Sequence, residues 1–192
     1  MQARCGVRVR AMAVCVETGE LFAFGDRDDD RLIDGAMSST AVPPFLAPWR
    51  AGGRRYLDGG VRSKLPVLAA IERGATQILA VNVVGLMGGP ERAHGMLGIA
   101  SYAISLGIDE MTDREIELAR RAGIELHLLE LRVPPDVTFW DFSHAERLTA
   151  AGRKEALSWL EATPLRLRAP WQAAARVRLA GIGRSLERLA RG

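Results

Sequence analysis

Gln77-Ile78-Leu79-Ala80-Val81-Asn82-Val83-Val84 is a nearly continuous apolar run, rich in β-branched residues. A strand apolar on both faces suits the middle of a parallel sheet covered by helices. The flanks agree with that reading. Leu65 to Arg73 reads as a helix, with Pro66 tolerated in its first turn and Gly74 as its C-cap. Ala93 to Arg121 is long and helix-compatible, with a break expected near Gly107. Ile124 to Leu131 is a further strand, Pro134-Pro135 begins a loop, and Ser143 or His144 opens a helix towards Leu160. Strand alternating with helix predicts an α/β fold with right-handed crossovers.

Upstream, Val7 to Val16 and Leu21 to Phe24 flank the turn Glu17-Thr18-Gly19-Glu20 and read as a β-hairpin. Gly25 to Asp30 is an acidic loop. Arg31 to Thr40 predicts a short helix, stopped by Val42-Pro43-Pro44 because a residue before proline is pushed out of the α region. Ala51 to Arg55 reads as a glycine and arginine turn. Arg55-Tyr56-Leu57 is then a short strand ending at Asp58-Gly59-Gly60.

With 192 residues, the chain is expected to form one domain with a real core. Its hydrophobic share of 48% and charged share of 26% exclude a disordered chain. Cys5 and Cys15 make no disulfide framework and read as buried small hydrophobes, which fits a reducing cytoplasm. The net charge of +3 is unevenly placed. Seven arginines and one acid follow Pro164, so residues 1–163 form a slightly acidic body and 164–192 a basic tail. That asymmetry argues against a nucleic-acid-binding body.

His94, His127 and His144 are too far apart in sequence for a metal-binding pattern, so no metal and no cofactor is expected. Gly85 to Gly89 follows a strand but matches no phosphate-binding glycine loop. Asp58 is different. It directly follows a strand, where the ligand sites of α/β sheets are found. Gly59 and Gly60 let the chain turn sharply and keep side-chain bulk away from the carboxylate. A general base needs that access and a fixed position. Alone, Asp-Gly is also a common turn pair.

The neighbours of Asp58 carry more. Met37-Ser38-Ser39-Thr40-Ala41-Val42-Pro43-Pro44-Phe45 precedes it. Then come Arg54 to Val61, Leu65-Pro66-Val67, Gly74-Ala75 and the strand Ile78 to Val83. This ordered series resembles the C-terminal half of the patatin-like phospholipase domain, best over Arg8 to Val84. The resemblance implies a three-layer α/β/α sheet, of which this chain holds part, and a helical tail after it. It implies a serine acyl hydrolase of lipid esters or phospholipids, acting in lipid degradation through a Ser-Asp dyad. Asp58 matches the family's base, and Asp58, Gly59 and Gly60 match its motif.

The family's serine lies in a Gly-x-Ser-x-Gly elbow. The chain has eight serines, none with glycine on both sides at that spacing. The glycine-rich oxyanion loop is also missing, and Lys64 stands where the family has asparagine. The expectation is a truncated chain, with the serine in a missing N-terminal half of the same domain. Its removal would leave a hydrophobic sheet edge, so the isolated chain is expected to be poorly soluble or to need that half as a partner. The alternative is a non-catalytic remnant or interaction module. Ser38 and Ser39 read as capping or packing the short helix rather than as substitute nucleophiles.

Within residues 171–191, Trp171, Ala175, Leu179, Ile182, Leu186 and Leu189 fall on one side of a helical projection, opposite Arg176, Arg184, Arg188 and Arg191. A basic amphipathic helix can pack on the body or lie on a membrane surface. The expected localisation is cytoplasmic, with peripheral membrane contact as the second reading of this tail.

Overall fold

The computed structural model describes residues 7–85, 89–137, 141–163 and 165. The fold is α/β, with strands and helices interleaved along the chain. Contacts divide it into two compact units, residues 1–66 with 90–112 and residues 67–89 with 113–192. The expected tail, 164–192, lies outside the described residues except for Leu165.

In the first unit, β1 (Ala11–Cys15), β2 (Leu21–Phe24), β3 (Trp49–Ala51) and β4 (Arg54–Asp58) form one sheet in the order β2-β1-β4-β3. Every neighbouring pair in it is antiparallel. The β1–β2 hairpin is as expected, but β1 starts at Ala11 rather than Val7. Its partner β2 ends at Phe24, opposite Ala11, so nothing in that strand pairs with the residues before. The expected turn over Ala51 to Arg55 shrinks to Gly52-Gly53. Both glycines have positive φ, +55° and +76°, which a two-residue hairpin requires; β4 is longer than expected, and β3, which was not anticipated, pairs with it.

α1 (Leu32–Ser38) lies against this sheet. A Cβ on Gly35 would stand 2.7 Å from the Cβ of Phe24, so the glycine permits the close approach. The core joins Ala13, Cys15, Phe24 and Tyr56. Phe22, Phe24 and Tyr56 meet with ring centroids 4.8 to 5.6 Å apart. Such aromatic pairs add about 0.5–1.5 kcal/mol each beyond their burial. The indole Nε1 of Trp49 donates to Asp34 Oδ1 at 3.1 Å, tying β3 to α1. Cys15 is buried, as its apolar run predicts; Cys5 lies outside the described residues.

α2 (Gly60–Ser63) follows β4 directly and was not anticipated. The helix expected from Leu65 begins at Val67 and forms α3 (Val67–Glu72) in the second unit. Glu115 Oε2 accepts the amide of Leu68 in its first turn at 3.3 Å. Gly74 ends the helix at φ +87°, as expected of a C-cap glycine.

β5 (Gln77–Val84) and β6 (Glu125–Arg132) pair in parallel, in register from Gln77↔Glu125 to Val84↔Arg132. α4 (Gly95–Arg121) runs between them. Parallel pairing needs such a crossover, whereas the short turns of the first unit enforce antiparallel pairing. The parallel sheet expected through the chain is thus confined to β5 and β6 among the described residues. α4 is unbroken at Gly107, where a glycine costs a helix only about 1 kcal/mol.

β5 also departs from a strand covered on both faces. Ala80 and Asn82 are buried, while Leu79, Val81 and Val83 are 51%, 47% and 39% exposed. On that face α5 (Ala145–Ala162) covers β6, with Gly152 3.8 Å from Leu131 Cδ1 and Trp159 edge-on to His127. α5 is preceded by a short 3₁₀ turn, Phe142–His144, whose Ser143 amide donates to Asp141 Oδ1 at 3.0 Å. His144 is the N-cap residue of α5, where the helix was expected to open, and Asp141 caps the 3₁₀ turn before it.

Candidate active site

Asp58 is the last residue of β4 and pairs with Ala13 of β1. Its amide donates to the Ala41 carbonyl at 3.0 Å, and the Ala41 amide donates to Ser38 at 3.1 Å. The segment after α1 therefore fixes the backbone from which the carboxylate projects. This places the first part of the Met37 to Phe45 motif directly beside the second.

The two glycines act through space rather than through unusual torsions. Gly59 has φ −62° and ψ −24°, which any residue adopts. A Cβ there would stand 2.5 Å from the carbonyl oxygen of Met12 and 2.6 Å from its carbonyl carbon. A Cβ on Gly60 would stand 2.8 Å from Asp58 Oδ1. The sharp-turn part of the expectation is therefore replaced by close approach. The other part, that glycine keeps bulk from the carboxylate, describes Gly60.

Asp58 Oδ1 accepts the Gly60 amide at 2.5 Å. Burial raises the Asp58 pKa above the ordinary carboxylate range, and the Gly60 bond opposes this in part. A half-buried carboxylate with one oxygen anchored and its proton affinity raised is suited to accepting a proton.

Ser38 is fully buried, and its hydroxyl has no hydrogen-bond partner among the described residues. Ser39 is the C-cap residue of α1, its amide donating to Gly35 at 2.9 Å. Both serve the end of the helix, as read from the sequence. Lys64, the departure from the family pattern, reaches Asp109 at 3.4 Å. The histidines stay separate: His127 lies 3.1 Å from Glu125, His144 lies 3.5 Å from Asp141, and His94 is exposed. Among the described residues no His, Cys, Asp and Glu group could hold a metal ion, and no helix is long and apolar enough to cross a membrane.

Sequence reasoning missed a cleft of about 430 Å³ in the first unit, lined by Phe22, Arg27, Asp29, Arg54 and Tyr56 with their neighbours. Tyr56 and Asp58 are two apart on β4 and so project to the same face of the sheet. Gly52-Gly53 between two short β-compatible segments was the available sign of the hairpin that forms one side of this cleft.

No curated protein matches the chain. The family model described as patatin-like phospholipase matches residues 3–71, a stretch that runs through β1 to β4, the Asp58 turn and most of α3. Through that stretch the chain resembles the patatin-like phospholipase family.

Proposed function

We propose that Asp58 is the general base of a Ser-Asp dyad that hydrolyses a lipid ester or phospholipid, with the serine supplied by a segment outside these 192 residues. The observation that carries this reading is the Asp58 carboxylate itself, held at a strand end by Gly60 with its pKa raised. The patatin-like match supports the class of reaction, which is lipid acyl hydrolysis.

In the proposed reaction the serine oxygen attacks the ester carbonyl as Asp58 takes the serine proton. The tetrahedral intermediate collapses to an acyl-enzyme, and the proton on Asp58 leaves with the alcohol. Water then attacks the acyl carbon and gives a proton to Asp58; as the intermediate collapses, the serine oxygen leaves and takes that proton back, the carboxylic acid is released and Asp58 is again a free base. A raised Asp58 pKa narrows the gap to the proton it must remove, which favours base catalysis. The exposed Leu79, Val81 and Val83 of β5 support a further segment that completes the second unit. The protein is read as cytoplasmic, with peripheral membrane contact through residues 171–191 as the second reading of the tail.

The test is the DNA upstream of the Met1 codon. An in-frame Gly-x-Ser-x-Gly there supports the hydrolase, and a stop codon there supports the interaction-module alternative. In the longer chain, Asp58→Asn is expected to abolish ester hydrolysis with folding intact. Retained hydrolysis would overturn the role given to Asp58.

A further inference from the structure

The cleft of the first unit, lined by Phe22 and Tyr56, has a distinctive charge pattern. Of its acids, Asp30 is engaged by the amides of Gly25 and Arg27, at 2.8 and 3.1 Å, and Asp34 by Trp49. Asp29 and Arg54 have no ion pair among the described residues, and both are exposed. Arg27 sits over the Phe22 ring, 5.8 Å from its centroid. The rim therefore offers one uncommitted carboxylate and two guanidinium groups without carboxylate partners. A ligand carrying both charges matches that rim better than a simple anion or cation.

The aromatic floor narrows the choice. A quaternary ammonium is held by open ring faces. Here Arg27 covers Phe22, while Phe24 and Tyr56 are 5% exposed and packed edge-on to their neighbours. No open ring face is left for a cage. A primary ammonium instead donates hydrogen bonds, which the Asp29 carboxylate accepts, and a phosphate suits guanidinium groups.

Register relates the cleft to the base. Phe22, Ala13 and Asp58 form one cross-strand row over β2, β1 and β4. At the usual strand spacing Phe22 and Asp58 are about 10 Å apart on one face of the sheet. That separation is of the size between an acyl ester and the head group of the same glycerophospholipid. We propose that this cleft binds a phosphate-linked primary ammonium, the phosphoethanolamine head group of a phospholipid, in preference to phosphocholine. The assignment of a lipid source rests on the hydrolase reading above; the charge recognition does not.

The test is titration of the isotope-labelled 192-residue chain, followed by the amide resonances of Gly52 and Arg54. Glycerophosphoethanolamine is expected to shift them at lower concentration than glycerophosphocholine or inorganic phosphate. Arg54→Gln is expected to weaken all three ligands by about tenfold. Asp29→Asn is expected to remove the ethanolamine preference while leaving phosphate binding unchanged. Both side chains are exposed, so both variants should fold. Equal binding of the two head groups, or shifts that Arg54→Gln leaves unchanged, would overturn the proposal. So would the absence of any shift. Asp58→Asn separates the two readings. If it binds glycerophosphoethanolamine normally while ester hydrolysis by the longer chain proves independent of Asp58, the hydrolase reading fails and the cleft stands. Binding by inorganic phosphate alone would place a free phosphate, not a lipid head group, in the cleft.

Discussion

The position a Cβ of Gly59 would occupy lies 2.5 Å from the carbonyl oxygen of Met12, on the neighbouring strand β1. The obstacle is backbone and cannot rotate away. Gly59→Ala is therefore expected to push β4 from β1 and lower stability by about 1–3 kcal/mol. Gly152→Ala provides the contrast, since its Cβ would meet only Leu131 at an ordinary 3.8 Å inside a helix. That change is expected to raise stability by about 0.5–1 kcal/mol. Urea midpoints of the two variants check the pair.

Burial raises the Asp58 pKa, so the charged form is the less favoured one in the folded chain. The stability linked to this group is fully present below the ordinary carboxylate pKa and is lost as pH rises through the raised value. Asp58→Asn removes the buried charge. It is expected to be more stable than wild type at neutral pH, with the difference vanishing in acid. Equal melting temperatures of the two chains at neutral pH would contradict this.

Glu17 behaves in the opposite sense. Its carboxylate accepts the Arg55 side chain at 3.0 Å and the Arg55 amide at 3.1 Å, which lowers its pKa from 4.5 to about 2. The stability from this contact is present above 4.5 and is lost as pH falls towards about 2. Glu17→Gln is expected to flatten the pH dependence of unfolding in that window. A profile parallel to wild type would show that the contact contributes nothing; salt titration at neutral pH should weaken the same pair.

The Ser38 hydroxyl is buried without a partner among the described residues. Removing such a group relieves a desolvation cost, so Ser38→Ala is expected to match or exceed wild type in stability. In a longer chain that hydrolyses esters, the same variant should keep full activity. Loss of hydrolysis with the fold intact would point to Ser38 as a functional hydroxyl.

Much of this protein is legible in its residues because the deciding forces are local. Gly74 ends a helix at positive φ, Glu17 to Glu20 closes a hairpin, and Gln77 to Val84 and the Ile124 region are strands by composition. Asp58-Gly59-Gly60 stands out because its order among the surrounding motifs is written along the chain. What the sequence could not decide is set by approach between distant segments. Gly59 is required by a Met12 backbone lying 47 residues earlier in the chain, a contact with no local signature. The openness of one face of β5 depends on where α5 lies, which residue pattern alone leaves undetermined. The charge pattern of the cleft depends on which acids other groups engage. Trp49 takes Asp34 and the loop amides take Asp30, and only the folded chain leaves Asp29 and Arg54 for a ligand.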